Sequence, residues 1–163
     1  MNKLRGFTLV ELLLYMGIFT ILLTVTLQMF GSIFDIQLES AATSSVEADG
    51  RFILSRFGYD LSRAQSISVP LSPGSVDSTL SIIIDGQTFT YSLNSGNLFL
   101  QNGAGTSDQL NSVETSVSDV SFLRLEGGVG GKDVVQMSFT LTSEVTQRSG
   151  KEVTTFQTTA GVR

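Results

Sequence analysis

The sequence predicts an α+β chain: one long N-terminal α-helix, transmembrane in its first half and amphipathic in its second, packed on a C-terminal antiparallel β-sheet. Three observations lead there. Residues 7–30 carry a single charged side chain, Glu11, in an otherwise largely apolar stretch. Apolar residues then recur every three or four positions as far as Ala64, and no proline occurs before Pro70. Beyond Pro73-Gly74 the spacing changes to alternation, with turn residues between the runs.

The first element is a candidate membrane span. A helix over residues 7–30 is about 36 Å long, enough to cross a ~30 Å hydrocarbon core with some tilt. Lys3 and Arg5 precede it, whereas Asp35, Glu39, Glu47 and Asp49 follow it with no basic residue until Arg51. The positive-inside rule therefore places the N-terminus in the cytoplasm and the remainder outside. A cleaved secretory signal has a shorter apolar region, about 7–15 residues, and a small-x-small site at its end, which this stretch lacks. A plain signal anchor fits the length but gives no reason for Glu11. An acidic group at the centre of a spanning helix costs about 2–3 kcal/mol, and its place one turn inside the run lessens that cost by snorkelling.

Gly6-Phe7-Thr8-Leu9-Val10-Glu11 supplies a reason. A short basic leader ending in Gly, then Phe, then Glu five positions into the remaining chain, closely resembles the class III leader of type IV prepilins and pseudopilins. The resemblance implies cleavage between Gly6 and Phe7 by a membrane-embedded prepilin peptidase, and N-methylation of Phe7. It also implies a role for Glu11 in filament assembly. The amine created on Phe7 and the Glu11 carboxylate lie four residues apart on one helix face. A buried charge is tolerated when an opposite charge meets it, so Glu11 can answer its own Phe7 amine in the membrane. In an assembling filament it can instead meet the amine of a neighbouring subunit, a contact that sets the axial register.

The second half of the helix is read from its stripe: Phe34, Leu38, Ala42, Val46, Gly50, Ile53, Phe57, Leu61 and Ala64, all at steps of three or four. Glu47 with Arg51 and Arg56 with Asp60 are spaced for i,i+4 pairing on the exposed side, worth a few tenths of a kcal/mol each, roughly. Gly31, Gly50 and Gly58 are expected as soft points. The segment Arg51 to Ala64, with an Arg, a short spacer, Asp60-Leu61 and then Arg63-Ala64, is similar to the corresponding part of J-type minor pseudopilins and W-type minor pilins. The ending Thr155 to Arg163 resembles their last strand.

Six or so strands are expected after Pro70: Thr79–Ile84, Gln87–Leu93, Asn97–Gln101, Val117–Leu125, Val134–Thr142 and Val153–Thr159. Asp85-Gly86 predicts a type I′ hairpin turn, and Asn94-Ser95-Gly96 allows another. The run Glu126 to Asp133 contains Gly-Lys, but Asp133 stands where a phosphate loop needs Ser or Thr and a strand follows, so a hairpin connection is expected. Asn102 to Asp108 is read as a surface loop. Its Asp and carbonyls offer a weak calcium alternative without a dense acidic loop.

Composition narrows the function. The net charge of −5 disfavours direct nucleic-acid binding, which needs clustered Lys or Arg. No Cys and no His are present, which removes disulfides, thiol nucleophiles, the usual general base and the commonest metal ligand. No catalytic residue, cofactor or metal is assigned and no enzymatic activity is expected. The chain divides into a leader (1–6), a transmembrane and filament-core helix (7–30), its amphipathic continuation (31–65) and an extracytoplasmic β-sheet domain (66–163). The expected function is a minor structural subunit of a type IV pilus or type II secretion pseudopilus. Its partners would be prepilin peptidase, other pilin or pseudopilin subunits and inner-membrane assembly machinery. The competing readings are a single-pass anchored adhesion module that does not polymerise, and an exported carboxylate-dependent hydrolase.

Overall fold

The structure, a computed structural model, describes residues 8–103, 105–127, 132–147 and 150–162. One helix, α1, runs from Leu9 to Arg63. Nine strands follow: β1 (Ser66–Val69), β2 (Val76–Asp77), β3 (Leu80–Ile84), β4 (Gln87–Asn94), β5 (Asn97–Asn102), β6 (Ser107–Gln109), β7 (Thr115–Leu125), β8 (Val134–Gln147) and β9 (Gly150–Gly161). The expected class holds, a long N-terminal helix packed on antiparallel sheet. The number of sheets does not: the strands form two, ordered β1-β3-β4-β5-β6 and β2-β7-β8-β9. The three strands absent from the sequence reading, β1, β2 and β6, have two to four residues each, too few for alternation to stand out.

The chain separates into two compact units, Met1–Leu38 and Glu39–Arg163. In the first, the described residues are almost wholly helical and their large apolar side chains are exposed. Phe34 and Leu38, which the stripe placed on the buried face, are 62% and 47% exposed. Several hydroxyl-bearing residues of this stretch bond back to their own helix. Thr20, Thr24 and Thr26 each donate to the carbonyl four residues back at 2.8 Å, which meets these three hydroxyl donors within an apolar helix.

In the second unit the helix stripe is buried from Ala42 through Val46, Gly50, Ile53, Phe57 and Leu61. Phe57 is the hub: its ring lies 6.3 Å from Tyr91 on the first sheet and 6.4 Å from Phe122 on the second. Full burial of such a ring contributes about 1.5–3 kcal/mol. Both anticipated hairpin turns form. Asp85 and Gly86 take φ of 49° and 77°, and Ser95 and Gly96 take 49° and 78°, the pair of positive φ values that a type I′ turn requires. In β7 a bulge between Ser118 and Ser121, with Asp119 at φ 52°, shifts the buried positions from Thr115 and Val117 to Val120 and Phe122.

Polar contacts join the layers. Asp49 on α1 accepts from the Ser112 amide (2.8 Å), the Ser112 hydroxyl (2.7 Å) and the Thr115 hydroxyl (2.6 Å). Arg124 on β7 donates to the carbonyls of Ile67, Pro70 and Leu71 and pairs with Asp133, stitching one sheet to the segment leaving β1 in the other. The loop before Asp133 connects β7 to β8 as a hairpin, with Leu125 opposite Val134; residues 128–131 of it lie outside the described residues.

Candidate functional site

Thr8 starts the helix. Its hydroxyl accepts from the Glu11 amide at 3.3 Å and its carbonyl accepts from the Leu12 amide at 3.1 Å. Thr8-Leu9-Val10-Glu11 is thus an N-terminal cap with a Glu at the third helical position, the Ser/Thr-x-x-Glu pattern of a capping box. The carboxylate also stands where the helix dipole favours negative charge. The sequence reading missed this although the pattern is visible in four letters. Of the predicted site residues, Glu11 is therefore placed, in the first turn of α1 and half-buried. Among the described residues no hydrogen-bond donor and no cation meets its carboxylate. Gly6 and Phe7, assigned to cleavage and methylation, lie outside the described residues.

From Glu11 the helix offers no further charge until Asp35, and it is long and apolar enough to cross a membrane. Its exposed Leu, Ile, Val and Phe side chains surround it rather than forming one stripe, as expected of a segment bathed in lipid or in other apolar helices. The chain therefore presents an acid at the start of an unshielded apolar rod.

A second carboxylate at the other end of α1 behaves differently. Asp60, expected on the exposed side, is 1% exposed. Its Oδ2 accepts from Arg56 Nε at 3.0 Å and from the Tyr91 hydroxyl at 2.6 Å. The i,i+4 spacing was read correctly, and the side was wrong because periodicity follows apolar residues and passes over a polar group that finds partners inside. Burial, and then the hydrogen bond to the Asp60 carboxylate, push the Tyr91 hydroxyl above its usual pKa. Glu47 and Arg51 do pair on the surface, at 3.3 Å.

Gly50 is also corrected. Rather than a soft point it is a close approach: a Cβ there would come within 2.3 Å of the Phe156 ring, which stacks on Phe139 with centroids 5.5 Å apart. The helix continues through Gly31 and Gly58, where a Cβ would meet nothing.

Residues 1–27 match the family described as the prokaryotic N-terminal methylation motif. No curated protein and no solved structure matches the chain. That match supports a class III leader of the type IV prepilin and pseudopilin kind at the N-terminus. With the long helix on antiparallel sheets, the architecture is pilin-like. The leader and the apolar helix together fit anchoring in the inner membrane.

Proposed function

We propose that this protein is a structural subunit, of the minor kind, of a type IV pilus or type II secretion pseudopilus. The match of residues 1–27 to the methylation motif carries this reading. Prepilin peptidase cuts between Gly6 and Phe7, and Phe7 becomes the methylated N-terminus. The helix over 7–30 stays in the inner membrane with its N-terminal end at the cytoplasmic face. The continuation over 31–65 and the sheets over 66–163 stand outside the cytoplasm. On extraction into the filament, Glu11 meets the Phe7 amine of a neighbouring subunit. Removing two charges from lipid as a pair, rather than leaving each unanswered, favours docking. The protein acts by assembly and carries out no reaction. The similarity of Arg51 to Ala64 to the J-type and W-type subunits supports a minor role.

One observation supports a second reading, a single-pass anchored binding module that does not polymerise. The Thr8 cap gives Glu11 a place at a helix start that needs no neighbour. Intact mass and N-terminal sequencing after co-expression with a prepilin peptidase separate the two. A chain beginning at methylated Phe7 is the expected result. A chain that keeps Met1 to Gly6 beside an active peptidase overturns the subunit reading and leaves the anchored module.

A further inference from the structure

Asparagine is among the chemically labile side chains, and the asparagines of the sheet domain differ in how firmly they are held. Asn94 accepts from the Ser95 hydroxyl at 3.0 Å. Asn97 accepts from the side-chain amides of Gln109 and Asn111 at 3.1 and 3.0 Å. Asn111 is buried; its side-chain carbonyl accepts from the Leu98 amide and its amide donates to the Thr115 carbonyl. Asn102 differs from all three. Its side chain is exposed and, among the described residues, meets no donor or acceptor. It is also the one asparagine in the sequence that precedes a glycine.

Asn102 ends β5, opposite Phe89 of β4. The ladder continues one residue further, because the Gly103 amide donates to the Thr88 carbonyl at 2.7 Å. Gly103 takes a φ of 54°, and a Cβ there would meet nothing within 4 Å. On the far side of β5 the edge strand β6 has three residues, and the Asn102 amide reaches the Thr106 carbonyl only at 3.5 Å. A ladder end flanked by so short a strand opens locally at low cost.

We infer that Asn102 is a site of spontaneous covalent modification, where the Gly103 nitrogen displaces the side-chain amide. The Gly103 N–H gives up its proton to hydroxide, and the nitrogen bonds to Cγ of Asn102. The Cγ–Nδ2 bond breaks and ammonia leaves, carrying a proton returned by water, so that a five-membered succinimide closes. One water then adds to either ring carbonyl and one ring C–N bond breaks. Opening at Cγ leaves aspartate at position 102. Opening at the main-chain carbonyl leaves isoaspartate, whose backbone runs through Cβ and Cγ. The net change consumes one water and releases one ammonia, with nothing oxidised or reduced. Glycine suits the step because no side chain obstructs its nitrogen, and the unheld Asn102 side chain is free to turn toward it. The Thr88 carbonyl is the gate: the Gly103 amide must leave it first, so the rate follows local opening of this ladder end rather than global unfolding. Both products add a negative charge to the surface. Isoaspartate also adds a methylene to the backbone just before Gly103, which carries Gly103 out of register with Thr88.

The test ages the full chain in detergent micelles, in buffer made with heavy-oxygen water, and follows each asparagine by peptide mapping and mass spectrometry. Asn102 is expected to lose its amide at least tenfold faster than Asn94, Asn97 and Asn111. Both aspartyl and isoaspartyl products should carry oxygen from the water, and the loss should quicken with rising pH because the attacking nitrogen is the deprotonated one. Gly103→Val crowds that nitrogen and is expected to slow the loss at least tenfold. Should the positive φ at position 103 keep that variant from folding, Asn102→Gln alters only an exposed side chain. Its ring would need one more member, and the same slowing is expected. Loss of the Asn102 amide in the urea-unfolded chain but not in the folded one would mean that the Thr88 bond shuts the site, and overturns the inference. Equal loss at the other asparagines overturns it too, and a product without isoaspartate overturns the ring route in favour of direct hydrolysis. None of these outcomes depends on cleavage after Gly6, so the site and the subunit reading stand or fall separately.

Discussion

Two carboxylates mark the ends of one helix, and their surroundings are opposite. Asp60 is buried, with a cation and a hydroxyl on its Oδ2. Glu11 begins a rod of exposed apolar side chains, and among the described residues neither a donor nor a cation meets its carboxylate. A buried charge with its partners in place is an ordinary part of a core. A charge at the head of a surface that only lipid or other chains can cover is, on the subunit reading proposed above, there for a neighbouring chain. The same contrast runs through the two units: Glu39–Arg163 buries its apolar groups on itself, while the described part of Met1–Leu38 buries almost none.

The comparison breaks first, and most severely, at Glu11. Glutamine also satisfies the Ser/Thr-x-x-Glu/Gln capping pattern, so Glu11→Gln keeps the helix start and removes the charge. If the carboxylate answers a neighbour's amine, Glu11→Gln is processed at Gly6 as the wild type is and is absent from sheared filaments on immunoblotting. Incorporation at the wild-type level would mean that the residue serves its own helix, and the contrast with Asp60 would collapse.

At the other end the expected effect is smaller and thermodynamic. Tyr91→Phe removes a donor from a buried carboxylate, a loss of about 1.5–3 kcal/mol in urea unfolding. The pH dependence has a definite sign. Tyr91 holds its proton in the folded chain beyond the usual tyrosine range, whereas the unfolded chain releases it near a pKa of about 10. The unfolded state then binds fewer protons, so stability falls as pH rises above that value. The gap between wild type and Tyr91→Phe should therefore narrow above pH ~10. A gap constant across that range would show that neither burial nor Asp60 holds the proton on the Tyr91 hydroxyl.

Legibility in the sequence follows the same division. The apolar run and the Gly-Phe-Glu spacing are one-dimensional signals, so the apolar helix and the methylation motif could be read directly. The two Asp/Ser-Gly turns were equally plain, because positive φ at both central positions restricts the residue types. What could not be read depended on the third dimension. Asp60 is polar on a face that periodicity assigns to solvent, and Arg56 together with Tyr91, thirty-one residues away, makes its burial tolerable. The split into two sheets turns on strands as short as Val76–Asp77. The Thr8 cap lies in the same letters as the leader motif, and one short stretch carries both signals.

Gly50 offers the smallest effect and the finest separation of local from tertiary forces. Within a helix, Gly→Ala gains about 1 kcal/mol from backbone propensity. Against that, the new methyl would stand 2.3 Å from the Phe156 ring, and overpacking of a fitted core costs about 1–3 kcal/mol. The ring is half-buried and stacked on Phe139, so it can yield partly. The expected net result for Gly50→Ala is a loss of about 1 kcal/mol, near the middle of those two ranges. In a Phe156→Ala background the obstacle is gone and propensity alone remains, so the same substitution should become stabilising. Contacting residues couple in this way, and a double-mutant cycle measures it. A reversal of sign would establish that glycine is needed at position 50 for the approach of β9 to α1. An equal loss in both backgrounds would return Gly50 to the role of a soft point, as the sequence first suggested.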